Sequence, residues 1–322
     1  MAILDVIGLG AMNLDRLYRV DEIVVDGEQV VTGSMAFPGG SAANTIYGLA
    51  KLDIKAGFIG AVGTDEEGQQ LIESLGTVGA DTSQIKIKEA TPTGTATCIS
   101  DKLGRRAIYL LPGANGSITT KDIDIHYVNQ AKFVHLSSFV NQAQFSLQLN
   151  LAKKLEDAAK LSFAPGMLYA AKGIKALAPL LEKSYIAFMN RDEIEKLTGL
   201  EFRAGAKKCL GMGCRIVVVT LGKGIPMDKN RVITSYIVDA KGEYETEATK
   251  KSDSSDLETV GAGDAFAAGF LFGLLRDKST TECGLLGNIM AQFAIRQPGA
   301  RTGLPTLVEL SQEYRKLSGR QL

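Results

Sequence analysis

Along the 322 residues, runs of apolar, β-branched residues alternate with stretches whose apolar positions recur every three or four residues. Residues 3–10 (ILDVIGLG), 56–63 (AGFIGAVG), 132–139, 185–190 and 215–222 (RIVVVTLG) read as strands that are apolar on both faces, as in a sheet covered by helices on both sides. Between them the spacing predicts helices over 42–52, 67–75, 145–160 and 191–199, several stopping at glycine, the residue that best accepts a left-handed helix terminus. Strand and helix in alternation imply right-handed crossovers and an α/β fold with a doubly wound, mostly parallel sheet flanked by helices.

Two stretches break this rhythm. Residues 17–37 and 93–112 show short alternating segments separated by turn signals such as VDG and DKLG, the pattern of hairpins. Together they predict a small antiparallel β lid inserted in the parallel fold, over the carboxyl ends of its strands, where open α/β sheets place their ligands. A third hairpin pattern covers 231–251, and a charged, serine-rich run (KKSDSSD) follows it. With no internal repeat and no long linker, residues 1–322 read as one domain carrying the lid.

Charge narrows the function classes. Lys plus Arg and Asp plus Glu both number 36, so no net field draws the chain to nucleic acid or to an anionic membrane, and neither is an expected partner. Asp5 stands near the start with no cationic segment ahead of it, and no uncharged apolar run reaches membrane-spanning length, so the expected location is the cytoplasm. Cys98, Cys209, Cys214 and Cys283 form no CxxC pair and are expected to be reduced core thiols. His126 falls in an expected loop and His135 at the expected start of a strand, both in structural roles. Chemistry must then come from carboxylates, glycines and backbone amides.

Residues 258–275 (ETVGAGDAFAAGFLFGLL) concentrate those groups. Gly261, Ala262 and Gly263 are small enough for backbone N–H groups to converge on an anion ahead of a helix, whose N-terminus carries roughly half a positive charge. Asp264 has two readings: a cap for that amphipathic helix, or a base that takes the proton from an attacking hydroxyl.

This segment resembles the closing signature D-T-x-G-A-G-D of the ribokinase-like, or PfkB, sugar kinases, with Glu258 in place of the leading Asp. In several relatives that Asp helps to build a monovalent-cation site, so the resemblance leaves potassium activation open. Residues 37–68 are similar to the family's other signature, which implies substrate contacts from Gly39, Gly40 and Asn44, joined by Asp15 from GAMNLD; Ser41 reads as a cap of the helix after the two glycines. Asn190 and Glu193 match the N-x-x-E motif that organises magnesium and phosphate; Thr220 and Gly222 match the T-x-G of the nucleotide site at a strand's carboxyl end. Residues 283–305 are similar to the terminal helix and GAR-like turn, placing Asn288 near the adenine, and resemble those of archaeal nucleoside kinases. Arg105, Arg106 and Asn115 lie in or beside the expected lid, where an arginine could reach the substrate.

The resemblance implies an ATP- and magnesium-dependent carbohydrate kinase that phosphorylates a primary hydroxyl, with Asp264 as base and the amides of Gly261, Ala262 and Gly263 stabilising the transferring group. A nucleoside kinase is the alternative acceptor class, and a non-catalytic sugar- or nucleoside-binding regulator is the alternative of a different kind. Exposed apolar faces on the lid point to a homodimer.

Overall fold

The computed structural model describes residues 4–103, 105–228, 231–249 and 260–322; Glu258 and Thr259 lie outside them. Thirteen strands run as β1 (Leu4–Leu9), β2 (Asn13–Val20), β3 (Val31–Gly39), β4 (Ala56–Val62), β5 (Ile85–Ile87), β6 (Gly94–Asp101), β7 (Arg106–Leu111), β8 (Ala131–Ser137), β9 (Lys160–Ala164), β10 (Ser184–Asn190), β11 (Ile216–Pro226), β12 (Arg231–Asp239) and β13 (Gly242–Thr249). The helices are α1 (Ser41–Lys51), α2 (Glu66–Gly76), α3 (Ile125–Asn129), α4 (Gln142–Lys154), α5 (Gly166–Ala170), α6 (Ile174–Lys183), α7 (Arg191–Thr198), α8 (Phe202–Gly211), α9 (Ala262–Leu275), α10 (Thr280–Ala294) and α11 (Leu307–Ser318).

Nine strands form one sheet in the order β13-β12-β11-β10-β9-β8-β1-β4-β5, parallel from β5 to β11 and antiparallel at the β12–β13 edge. Successive residues of its strands feed opposite cores, as the two-residue repeat of a strand requires. Val6, Phe58, Phe133, Phe188 and Val218 pack on the side of α1, α9 and α10, whereas Ile7, Ile59, Val134, Ala187 and Val217 pack on the side of α4, α6 and α8. From β1 the chain leaves toward β4 on one side and toward β8 on the other, so the crevice at the carboxyl ends of β1 and β8 is the topological switch point where such sheets bind ligands.

The small sheet has the order β3-β2-β6-β7. Its two hairpins are antiparallel, as expected, and are joined by parallel pairing of β2 with β6. It begins earlier than the turn signals suggested, at Asn13, so Asp15 stands on a strand of the small sheet and not on the parallel core. Three further local expectations are corrected. The helix predicted to Lys160 ends at Lys154, and Lys160 opens β9, whose apolar run Leu161–Ala164 is too short to announce itself. His126 lies in the short α3, and His135 sits inside β8, fully buried, with Nδ1 against Ser162 Oγ at 2.8 Å. Helix α9 is not amphipathic: every residue from Ala265 to Gly273 is buried, because it runs between α1 and α10 under the sheet.

Glycine makes that central helix possible. A Cβ on Gly269 would approach the carbonyl oxygen of Leu286 in α10 to 2.5 Å. Alanine would add up to about 1 kcal/mol of helix propensity, while overpacking a filled core costs roughly 1–3 kcal/mol. Gly269→Ala should therefore lower the thermal midpoint by several degrees, and a midpoint equal to or above that of the parent would show that α9 and α10 can separate at no cost.

Candidate active site

The switch-point crevice is framed by the N-termini of α1 and α9, and each begins at a glycine in the left-handed region. Gly40, with φ 95°, precedes α1, and Gly261, with φ 78°, precedes α9. A side chain on Gly261 would collide with Ala300, so the loop before α9 rests directly on the 299–303 turn. No side chain caps α9, and the amides of Ala262, Gly263 and Asp264 precede the first intrahelical bond, which Ala265 makes to Gly261. Gly263 is exposed and a Cβ on it would meet nothing within 4 Å, so this first turn borders open space. An uncapped N-terminus facing open space is an anion-binding geometry.

Asp264 does not cap this helix. Its carboxylate accepts from Ser41 Oγ at 2.7 Å and from Asn44 Nδ2 at 2.9 Å, both on the first turn of α1. Ser41, expected to cap α1, is instead a donor to Asp264. Burial raises the Asp264 carboxyl to about 6, while the Asn44 and Ser41 hydrogen bonds and the Arg301 charge pull it down. The two donated hydrogen bonds suit its ionised form, while burial keeps it more basic than an ordinary carboxylate.

Asn44 is buried and its amide is engaged at both ends: Oδ1 accepts from Arg301 Nε at 2.9 Å. Of its expected neighbours, Gly39 gives its carbonyl to Arg301, and the carboxyl group of Asp15 lies where a Cβ on Gly39 would stand. Asp15 receives no hydrogen bond from any described residue; burial pushes its carboxyl up to about 7, Arg301 opposes the rise and Asp264 adds to it. The structure thus brings together Asp15, Gly39, Gly40, Asn44, Gly261, Ala262, Gly263 and Asp264, and adds Ser41 and Arg301, which spacing alone did not single out.

The other expected residues are placed differently. Asn190 and Glu193 form a reciprocal capping box at the start of α7: Asn190 Oδ1 accepts from the Glu193 amide at 2.8 Å, and Glu193 Oε2 accepts from the Asn190 amide at 2.9 Å. Glu193 Oε1 has no partner among the described residues, and burial followed by repulsion from Asp264 raises its carboxyl. Thr220 and Gly222 are not at a strand end; β11 bulges after Thr220, with Gly222 at φ 59°, and continues to Pro226 beside β12. Asn288 is buried in α10, accepting from Thr234 Oγ1 and donating to the Glu247 carbonyl, both at 3.2 Å, so it braces the β12–β13 edge. Arg105 bonds Asp101 and Glu22 at the exposed tip of the small sheet. Asn115, expected in the lid, is buried below it and clamps both backbone groups of Met12.

The sequence of residues 4–307 matches the family model of the pfkB family carbohydrate kinases. The chain belongs to this family. An uncharacterised sugar kinase of Archaeoglobus fulgidus is 37% identical over 262 residues, which are 81% of this chain and 100% of that one. An ATP-dependent ribose-1-phosphate kinase of Halopiger xanaduensis is 29% identical over 92% of this chain and 94% of its own. The crystal structure of a ribokinase from Thermotoga maritima superposes with a TM-score of 0.81 at 26% identity, covering 98% of this chain and 100% of that one. Nucleoside kinases are also among its relatives. The protein is a phosphotransferase with a sugar or nucleoside acceptor, on the ribokinase fold.

The raised carboxyl of Asp15 has a measurable cost. A carboxyl whose folded pKa exceeds its unfolded value destabilises the fold once it must ionise: the cost is absent below the unfolded pKa near 4, grows as pH rises, and is complete above the folded value of about 7. Asp15→Asn should therefore raise the thermal midpoint more at pH 8 than at pH 5. An equal change at the two pH values would mean that Asp15 is not held in its ionised form against burial.

Proposed function

We propose that this kinase transfers the γ-phosphoryl group of ATP to a primary hydroxyl of a sugar, with Asp264 as general base. The observation that supports this most is the arrangement of Asp264 itself. A carboxylate beside an uncapped helix N-terminus would repel a phosphate, yet here it is held away from the capping position by Ser41 and Asn44. From that position it can take the proton of a hydroxyl lying between itself and the amides of Ala262 and Gly263, which would stabilise charge on the transferring group. Direct transfer needs no phosphoenzyme.

Magnesium is ordinarily held by one or two carboxylates together with the nucleotide's own phosphates, and the unshared oxygen of Glu193 fits that need. When bound, it would offset the negative charge of the phosphates. Thr220 and Gly222 remain our proposed nucleotide contacts, as does Asn288 for the adenine. ATP as donor is supported by the ATP dependence of the ribose-1-phosphate kinase among its relatives.

Asp15, without a protein donor, is our proposed acceptor for the sugar's hydroxyls. A nucleoside is the second reading, and the small sheet favours it: Phe37, Ala96 and Leu110 lie in register with Asp15 and so share its face, offering an apolar surface to a base. We read the whole chain as one catalytic domain with the small sheet as its lid. The lid's exposed Val31, Ile108, Tyr109 and Leu111 would meet a second copy of the chain in a homodimer. Four buried cysteines that form no disulfide suit a reducing cytoplasm, and no helix among the described residues is long and apolar enough to cross a membrane.

Asp264→Asn separates chemistry from structure. General-base catalysis supplies on the order of a hundredfold to ten-thousandfold, so turnover with ATP across ribose, fructose, adenosine, inosine and cytidine should fall by at least that, with ATP binding and melting preserved. A folded variant that keeps most of its turnover on the acceptor used by the parent would end the reading of Asp264 as the base.

A further inference from the structure

Arg301 is the one Lys or Arg among the described residues that is buried, at 5% exposure. Its guanidinium is used in three directions: Nε donates to Asn44 Oδ1 at 2.9 Å, Nη1 to Ser74 Oγ in α2 at 3.0 Å, and Nη2 to the Gly39 carbonyl at 3.0 Å. Its plane also lies 5.3 Å from the Tyr47 ring. Three of its five N–H groups are engaged in this way, and its burial leaves little of it open to a substrate. Its effect must pass through the groups it holds.

Asn44 is the decisive one. A primary amide has an accepting end and a donating end of nearly equal size, and its hydrogen-bond partners decide which way it faces. A guanidinium can only donate, so the oxygen of Asn44 must face Arg301. The NH2 group is then forced toward Asp264, at 2.9 Å. Without Arg301 only the Asp264 carboxylate itself would hold that orientation, and the hold would be lost whenever Asp264 takes up a proton, since a protonated carboxyl can donate to the amide oxygen.

The charges around Asp264 make the same demand. Among the described residues, the ionisable groups that act on it are Asp15 from β2, Glu193 from α7 and Arg301 from the 299–303 turn, while α1 contributes only the neutral Ser41, Asn44 and Thr45. Arg301 is the single positive charge against three carboxylates. It retains that charge at neutral pH, for burial lowers it only to about 10, with Asp15 helping to hold it up.

We propose that Arg301 is a positioning residue for phosphoryl transfer: it fixes the Asn44 amide with its NH2 toward the base and supplies the buried positive charge that faces Asp264. The inference rests on Asp264 being the base. Neighbouring opposite charge commonly shifts a carboxyl by one to three pH units, so losing both the charge and the oriented amide should move the acid limb of kcat/KM upward by about one unit or more. At pH 6 the loss of activity should then exceed the loss at pH 8.5 by roughly fivefold or more.

The experiment compares kcat/KM from pH 5 to 9 for the parent, Arg301→Met and Arg301→Lys, with the parent's best acceptor and ATP. The lysine variant keeps the charge but not the three-way fork, so its limb should lie between the other two. If Arg301→Met does not fold, the lysine variant decides alone, because its limb must still lie above that of the parent. An unchanged limb in a folded variant, with activity reduced equally at every pH, would reduce Arg301 to a scaffold residue and overturn the proposal. Asp264→Asn run alongside keeps the two ideas apart: if that variant stays active the base assignment fails, whereas if it is inactive and the limb does not move, only the role of Arg301 fails.

Discussion

The arrangement depends on holding one carboxylate ionised where water has largely been removed. An isolated charge in such a place would protonate or drag in solvent, so it has to be met by donors of fixed direction. Asp264 is met by two, a hydroxyl and an amide from the first turn of α1. Much else follows from delivering them. Gly40 must turn the chain at positive φ so that α1 begins where it does, Gly261 must lie flat on Ala300 so that α9 begins beside it, and the 299–303 turn must present Arg301 to the gap between them.

Much of this was legible in the chain. The apolar runs marked five strands of the large sheet, and the GAGD and PGGSAAN segments marked the two helix starts that meet at the switch point. What spacing could not convey was which end of each segment faces the other. Ser41 is a good capping residue by type and stands just after two glycines, so a local reading gives it to its own helix; only the approach of α9 turns its hydroxyl toward Asp264. Arg301 lies 257 positions from Asn44, and the signal available was an arginine among small residues in a turn, which reads as surface until the packing is known. Asn190 and Glu193 show the reverse case, for the same three-residue spacing serves both a ligand pair and a capping box, and the structure displays the box.

The site also shows where the fold accepts a local cost. Asp15 receives no hydrogen bond from a described residue and is pushed up by its surroundings. Such groups are left unpaired where another molecule is meant to complete them, and stability is ordinarily sacrificed there.

The two sheets share no strand: β2, β3, β6 and β7 pair only with one another, and their roots are tied down separately, β2 by the grip of Asn115 on Met12 and β6 by the bonds from Thr93 to Asp65. Substitutions on the exposed reach of these hairpins leave the register of the large sheet untouched, and with it the position of Asp264. If the small sheet meets the acceptor through Asp15, as we propose, selection could retune the choice of acceptor by small steps on one module, each tolerated by the other. A lineage could pass from one acceptor to the next without a catalytically dead ancestor in between.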